Sequence, residues 1–182
     1  MSKQSMRYPS KDQAPVRIRL VAIMAAFTLF LSTIEYLIPK PVPFMRIGLA
    51  NLPLMIALGL FTYKEYALLV LLKFLGQQLV TGTIFSYVAV FSFGGTLASA
   101  LTMFVLYHGL KQHVGMVGIA IAGAMASNIV QLILSRFILF GESAWLIAPP
   151  FLTMGLVTAL LLGLFANTFI KTSKWYQSRS VS

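Results

Sequence analysis

Residues 20–34 read LVAIMAAFTLFLSTI, and how that stretch crosses a hydrophobic medium decides the fold. Lipid offers the backbone no hydrogen-bond partners, so only helices and closed barrels can span it. A barrel strand would alternate polar and apolar residues. This stretch does not alternate, and it reads as a membrane helix running from Leu20 to Ile38. Arg17 and Arg19 precede it, as basic residues precede a signal peptide. The run is too long for one, however, and it ends in IEYLIPKP rather than at a small-residue cleavage site.

The rest of the chain repeats the pattern. Of 182 residues 58% are hydrophobic, with 14 Lys and Arg and four Asp and Glu, too few charges to cover a water-facing surface. A hydrocarbon core about 30 Å thick takes roughly 20 helical residues per crossing. Further segments are expected at about 47–63, 66–80, 87–107, 114–140 and, after a break at Pro149-Pro150, 151–170. The expected fold is an all-α membrane protein with a bundle of about six transmembrane helices. Residues 1–15 form a polar tail, 16–171 one helical domain and 172–182 a basic tail. Lys3, Arg7, Lys11, Arg17 and Arg19 at one end, with Lys171, Lys174 and Arg179 at the other, place both termini in the cytoplasm and the protein in the inner membrane. The net charge of +10 is thus explained by topology rather than by nucleic acid. Lys40 and Arg46, in the outer loop PKPVPFMR, run against the rule.

Topology also gathers polar residues at the middle and outer depths: Glu35, Arg46, Asn51, Lys73, Gln77, Gln78, Asn128, Gln131 and Arg136. Lys73 and Gln77 share a helix face, as do Asn128 and Gln131. An ionisable residue near the bilayer centre is costly and faces the bundle interior or water. Two readings follow. In one, Lys73 pairs structurally with Glu35. In the other, Lys73, Gln77, Asn128, Gln131, Asn51, Arg46 and Glu35 line a pocket open to the outside, and the excess of Lys73, Arg46 and Arg136 over Glu35 favours a small polar or anionic ligand. Gly94, Gly95, Ala98 and Ser99 in the fourth segment, and Gly118, Ala122 and Ala126 in the fifth, are expected packing seams. Ala22 and Ala26 on the first segment suit internal packing or the docking of another membrane subunit.

Catalytic machinery is not legible. The single aspartate, Asp12, cannot form the paired aspartates that hold magnesium against a diphosphate. The sequence contains no P-loop. His108 and His113 share one joint away from the outer pocket, which leaves neither a catalytic triad nor a metal centre. With no cysteine, thiol chemistry is excluded as well. The chain is expected to be non-catalytic, without cofactor or metal.

Three blocks, FMRIGLANLPLMIALGLF, TGTIFSYVAVFSFGGTLAS and GIAIAGAMASNIVQLILS, resemble the membrane family called heptaprenyl diphosphate synthase component I, also known as the Gx transporter family. Where that family's pattern has histidine before the asparagine this chain has Ser127, so no histidine role carries over. The family in turn looks like the substrate-binding S components of energy-coupling factor transporters. That resemblance implies an outer loop, here PKPVPFMR, over a ligand pocket. It also implies docking of a membrane T component, with its ATPases, on an Ala-x-x-x-Ala pattern matched by Ala22 and Ala26. The alternatives are a non-catalytic membrane subunit of isoprenoid or quinone biosynthesis, working with a soluble partner, and a purely structural anchor.

Overall fold

Along the first helix, α1 (Ala14–Leu37), Thr28, Ser32 and Glu35 are buried while Phe27, Phe30 and Ile34 are exposed. The same inversion recurs at Lys73, at Ser92, Thr96 and Ser99, and at Ser127, Asn128, Gln131 and Ser135, all buried, while leucines, valines and phenylalanines cover the outside. A water-soluble bundle would segregate these residues the other way. Polar atoms inside and hydrocarbon outside are what lipid selects, and the chain is an all-α membrane protein.

The computed structural model describes residues 14–39, 47–110 and 113–179. After α1 come a 3-10 turn at Leu49–Asn51, α2 (Leu52–Ala57), α3 (Tyr63–Thr81), α4 (Tyr87–Gly109), α5 (Met116–Ser135), α6 (Ala144–Thr172) and the short α7 (Lys174–Gln177). Among the described residues three stretches are long and apolar enough to cross a membrane: Pro15–Leu37, Tyr87–Gly109 and Met116–Thr172, the last folding back on itself as α5 and α6. The 19 residues of α3 extend about 28 Å, but Lys64, Glu65 and Lys73 dilute its hydropathy.

Several boundaries differ from the sequence reading. The expected second helix, 47–63, is only a 3-10 turn and the six residues of α2, and residues 52–61 are buried throughout. It faces protein rather than lipid. Pro53 sits in the first turn of α2, where its missing N–H costs nothing. The sixth helix does not wait for Phe151: α6 begins at Ala144 and runs through Pro149 and Pro150. Both prolines are close to its N-terminus, and Thr153 Oγ1 reaches their carbonyls at 2.9 and 3.1 Å. The fifth ends at Ser135, followed by an exposed π-helical turn, Arg136–Phe140. Past residue 172 the basic tail includes α7, whose Tyr176 is buried with its hydroxyl against Gly59 and Tyr107.

The close approaches are made by glycines, but not all of the expected ones. Gly95 abuts Gln131 and Ser127, and Gly94 abuts Val130 and Leu134, so α4 meets α5 as anticipated. On α5, Gly123 approaches Met103 and Ser99, while Gly118 has only Val114, just ahead of its own helix, nearby. On α6, Gly155 faces Asn128 and Gly163 faces Ala120 and Val117. Ala22 and Ala26 are exposed on α1, which removes the internal-packing reading for that pair.

At the other end of α1 from Glu35, Arg17 holds Glu65 through Nε (2.6 Å) and Nη2 (2.5 Å). Glu65 also closes the N-terminus of α3 by accepting from the N–H and hydroxyl of Thr62, both at 2.8 Å. One carboxylate thus caps a helix and ties it to α1. Glu65→Ala is expected to cost about 1–2 kcal/mol, seen as a lower thermal midpoint in detergent. An unchanged midpoint would show that this junction contributes nothing.

Candidate functional site

Polar side chains of α1, α3, α4 and α5 meet in one small chamber, lined by Glu35 from α1, Lys73 from α3, Gly95 and Thr96 from α4, Ala124, Ser127 and Asn128 from α5, and Gly155 from α6. Its remaining wall is Ile47, Gly48, Ala50 and Asn51, the segment that enters α2. Gly48 has φ 92°, a conformation open to glycine and strained for other residues. The turn lets successive N–H groups converge on Glu35, whose carboxylate accepts from Ile47 (3.0 Å), Gly48 (3.1 Å) and Ala50 (3.5 Å). Glu35 therefore pins the chamber wall. Lys73 Nζ donates to Asn51 Oδ1, so the ammonium that the sequence reading set beside Glu35 is bonded to the same wall segment.

The Asn128 amide nitrogen fills the space in which Gly155 has no side chain: a Cβ there would lie 1.9 Å away. Gln131, one turn along α5, donates through Nε2 to Ser127 Oγ at 2.9 Å and packs behind Gly95. Thr96 Oγ1, Asn128 Nδ2 and Gln131 Oε1 are buried without a hydrogen-bond partner among the described residues. Each such atom costs roughly 1–3 kcal/mol unless a bound group supplies the bond.

Of the anticipated site residues, Glu35, Asn51, Lys73 and Asn128 converge on the chamber, and Gln131 supports it from behind. Gln77 is buried one turn beyond Lys73 but does not line the chamber; its carbonyl accepts from Thr81 Oγ1 at 2.9 Å. Arg46 and most of the loop PKPVPFMR lie outside the described residues. Arg136, counted above toward a positive excess, is on the surface, paired with Glu142 and stacked on Trp145 at 5.8 Å. The surplus cationic charge at the chamber loses that member. Gln78 is committed elsewhere, donating to Ser92 Oγ and accepting from Thr83 Oγ1 at 2.6 Å, which ties the 82–86 turn to α3 and α4.

The sequence reading missed Thr96, Gly155 and the role of Ser127. Ser92, Thr96 and Ser99 recur at helical spacing in an otherwise apolar α4, a signal that could have marked Thr96. Nothing local marks Gly155. The chamber volume is about 20 Å³, room for about one water-sized group and far below the roughly 300–1,000 Å³ of a small-molecule pocket. A larger ligand could enter this conformation only by displacing side chains.

These features define a class: an α-helical membrane protein closed around a polar interior. The family model for heptaprenyl diphosphate synthase component I matches residues 24–169, and the chain belongs to that family. No curated protein and no solved structure matches it.

Proposed function

We propose that this chain is a non-catalytic membrane subunit that takes a small polar or anionic group into the chamber of Glu35, Asn51, Lys73, Thr96 and Asn128. The chemistry would fall to a separate partner. The observation carrying this reading is that hydrogen-bonding atoms of Thr96 and Asn128, without a partner among the described residues, belong to the lining of one chamber together with Glu35 and Lys73. A purely structural core would pair such atoms internally. The words "component I" in the family description support a complementary synthase component as the partner. In this proposal the chain crosses the inner membrane six times, with the Arg17 end and both termini cytoplasmic.

The test is to purify the full chain from membranes and identify co-purifying small molecules by mass spectrometry, for the wild type, Lys73→Ala and Asn128→Leu. Each variant removes a donor facing the chamber, and ligand occupancy is expected to fall about tenfold or more. Equal occupancy in all three would remove the reading. A pull-down then identifies the partner, and a prenyltransferase is expected.

One observation favours a second reading, uptake of the bound molecule as an S-component-like transport protein. Ala22 and Ala26 lie one helical turn apart on the exposed surface of α1, where small residues permit close approach of another membrane helix. Recovery of a T component with its ATPases in the same pull-down would select uptake over synthesis.

A further inference from the structure

The helix α2, with the turns that carry its hydrogen bonding on to Phe61, forms a rod buried along its whole length. Its side chains are apolar, and contacts of that kind are non-directional. They close the space around the rod, while polar groups at its two ends set its place along its own axis. At the chamber end Glu35 takes the N–H groups of Ile47, Gly48 and Ala50, and Asn51 accepts from Lys73. At the far end Arg17 Nη2 donates to the Leu60 carbonyl at 3.4 Å, and the Thr62 N–H donates to Glu65 at 2.8 Å.

The remaining fixture at the far end comes from the last helix of the chain. Ser173 Oγ, at the N-terminus of α7, accepts from the N–H of Tyr176 at 3.3 Å, and the Tyr176 ring turns inward until the residue is 5% exposed. A Cβ on Gly59 would lie 2.0 Å from the Tyr176 hydroxyl and 2.8 Å from that of Tyr107. The two hydroxyls hydrogen-bond to each other. Two phenols thus occupy the side-chain space of Gly59. From there to Asn51 the rod measures about 12 Å, and a close-packed interior transmits a displacement rather than absorbing it.

We propose that Tyr176 is a remote positioning residue of the chamber, seated on Gly59 and holding the wall at residues 47–51 in place through the buried rod. The proposal rests on reading the chamber as a ligand site, since the wall is positioned for what binds there. It gives the short α7 a task beyond closing the Arg17 end of the bundle: whatever lifts this helix loosens the chamber.

Hydrogen exchange of the full chain in detergent micelles tests the coupling, with the thermal midpoint followed in parallel. Tyr176→Ala empties the seat, and Gly59→Ala evicts both hydroxyls without altering α7. Either variant is expected to speed exchange at Gly48 and Ala50 about tenfold and to leave residues 119–132 of α5 unchanged. Co-purifying ligand is expected to fall about fivefold. Tyr176→Phe keeps the ring and should lie between, while Lys174→Ala, exposed on the same helix, should match the wild type. In the double variant Tyr176→Ala with Gly59→Ala the two effects should not add, because both act through one contact. Coupling is reciprocal, so Glu35→Ala is expected to speed exchange at Tyr176. Exchange that rises at 58–61 and 174–177 but not at 47–51 would reduce Tyr176 to a local clamp and overturn the proposal, as would an equal rise in every helix. If Tyr176→Ala and Gly59→Ala leave the wall amides unmoved while Lys73→Ala loses its co-purifying ligand, the positioning role falls and the chamber reading stands. If Lys73→Ala and Asn128→Leu both keep full ligand occupancy, the chamber reading falls and takes the positioning role with it.

Discussion

Glu35→Ala is expected to release residues 47–51 from the bundle. The carboxylate takes three backbone N–H groups of that segment, and a hydrogen bond to a charged acceptor is worth about 1.5–3 kcal/mol. Such bonds do not add fully. A loss of at least about 3 kcal/mol locally, or on the order of 100-fold faster amide exchange, is nonetheless expected at Ile47, Gly48 and Ala50. Because Asn51 belongs to the same segment and carries the bond from Lys73, the chamber would open and ligand occupancy would fall with it. Glu35→Gln keeps one acceptor oxygen and should lie between. Hydrogen exchange in detergent micelles measures both variants, and unchanged protection in Glu35→Ala would mean that another contact holds this wall.

The second large effect is expected at Gly163. A Cβ there would stand 2.9 Å from the Ala120 Cβ and 2.9 Å from the Val117 Cα. Backbone cannot swing aside, so α5 and α6 must separate along their length. Overpacking of this kind costs about 1–3 kcal/mol, and a clear fall in the thermal midpoint of the Gly163→Ala protein is expected. At Gly118 the nearest obstacle is a methyl group of Val114, a side chain able to rotate away, so Gly118→Ala should cost much less. A larger loss at Gly118 than at Gly163 would contradict the packing described for these helices.

The two glycines show where the sequence stops informing. Gly118, Ala122 and Ala126 form a conspicuous four-residue row, whereas Gly163 stands in the run TALLLGLF with nothing to distinguish it. Small size permits close approach but does not choose the partner; the rotation and depth of α6 against α5 do that. Charge behaves similarly. Lys73 in a greasy run is legible as an inward-facing residue because its burial in lipid is so costly, and it is buried. Arg136 looked equivalent by depth, yet it falls on the exposed face of the π-helical turn Arg136–Phe140, paired with Glu142.

The sequence by itself determined the medium, the helical class and the residues driven inward, because backbone satisfaction in lipid and the cost of burying charge act on each segment locally. Only the tertiary structure decided that Glu35 accepts from the backbone of Ile47, Gly48 and Ala50, that the polar interior shrinks to the space of a single water-sized group, and that Arg136 stays outside it. Those outcomes depend on distances between helices remote in the chain, which are set by how their small residues interlock.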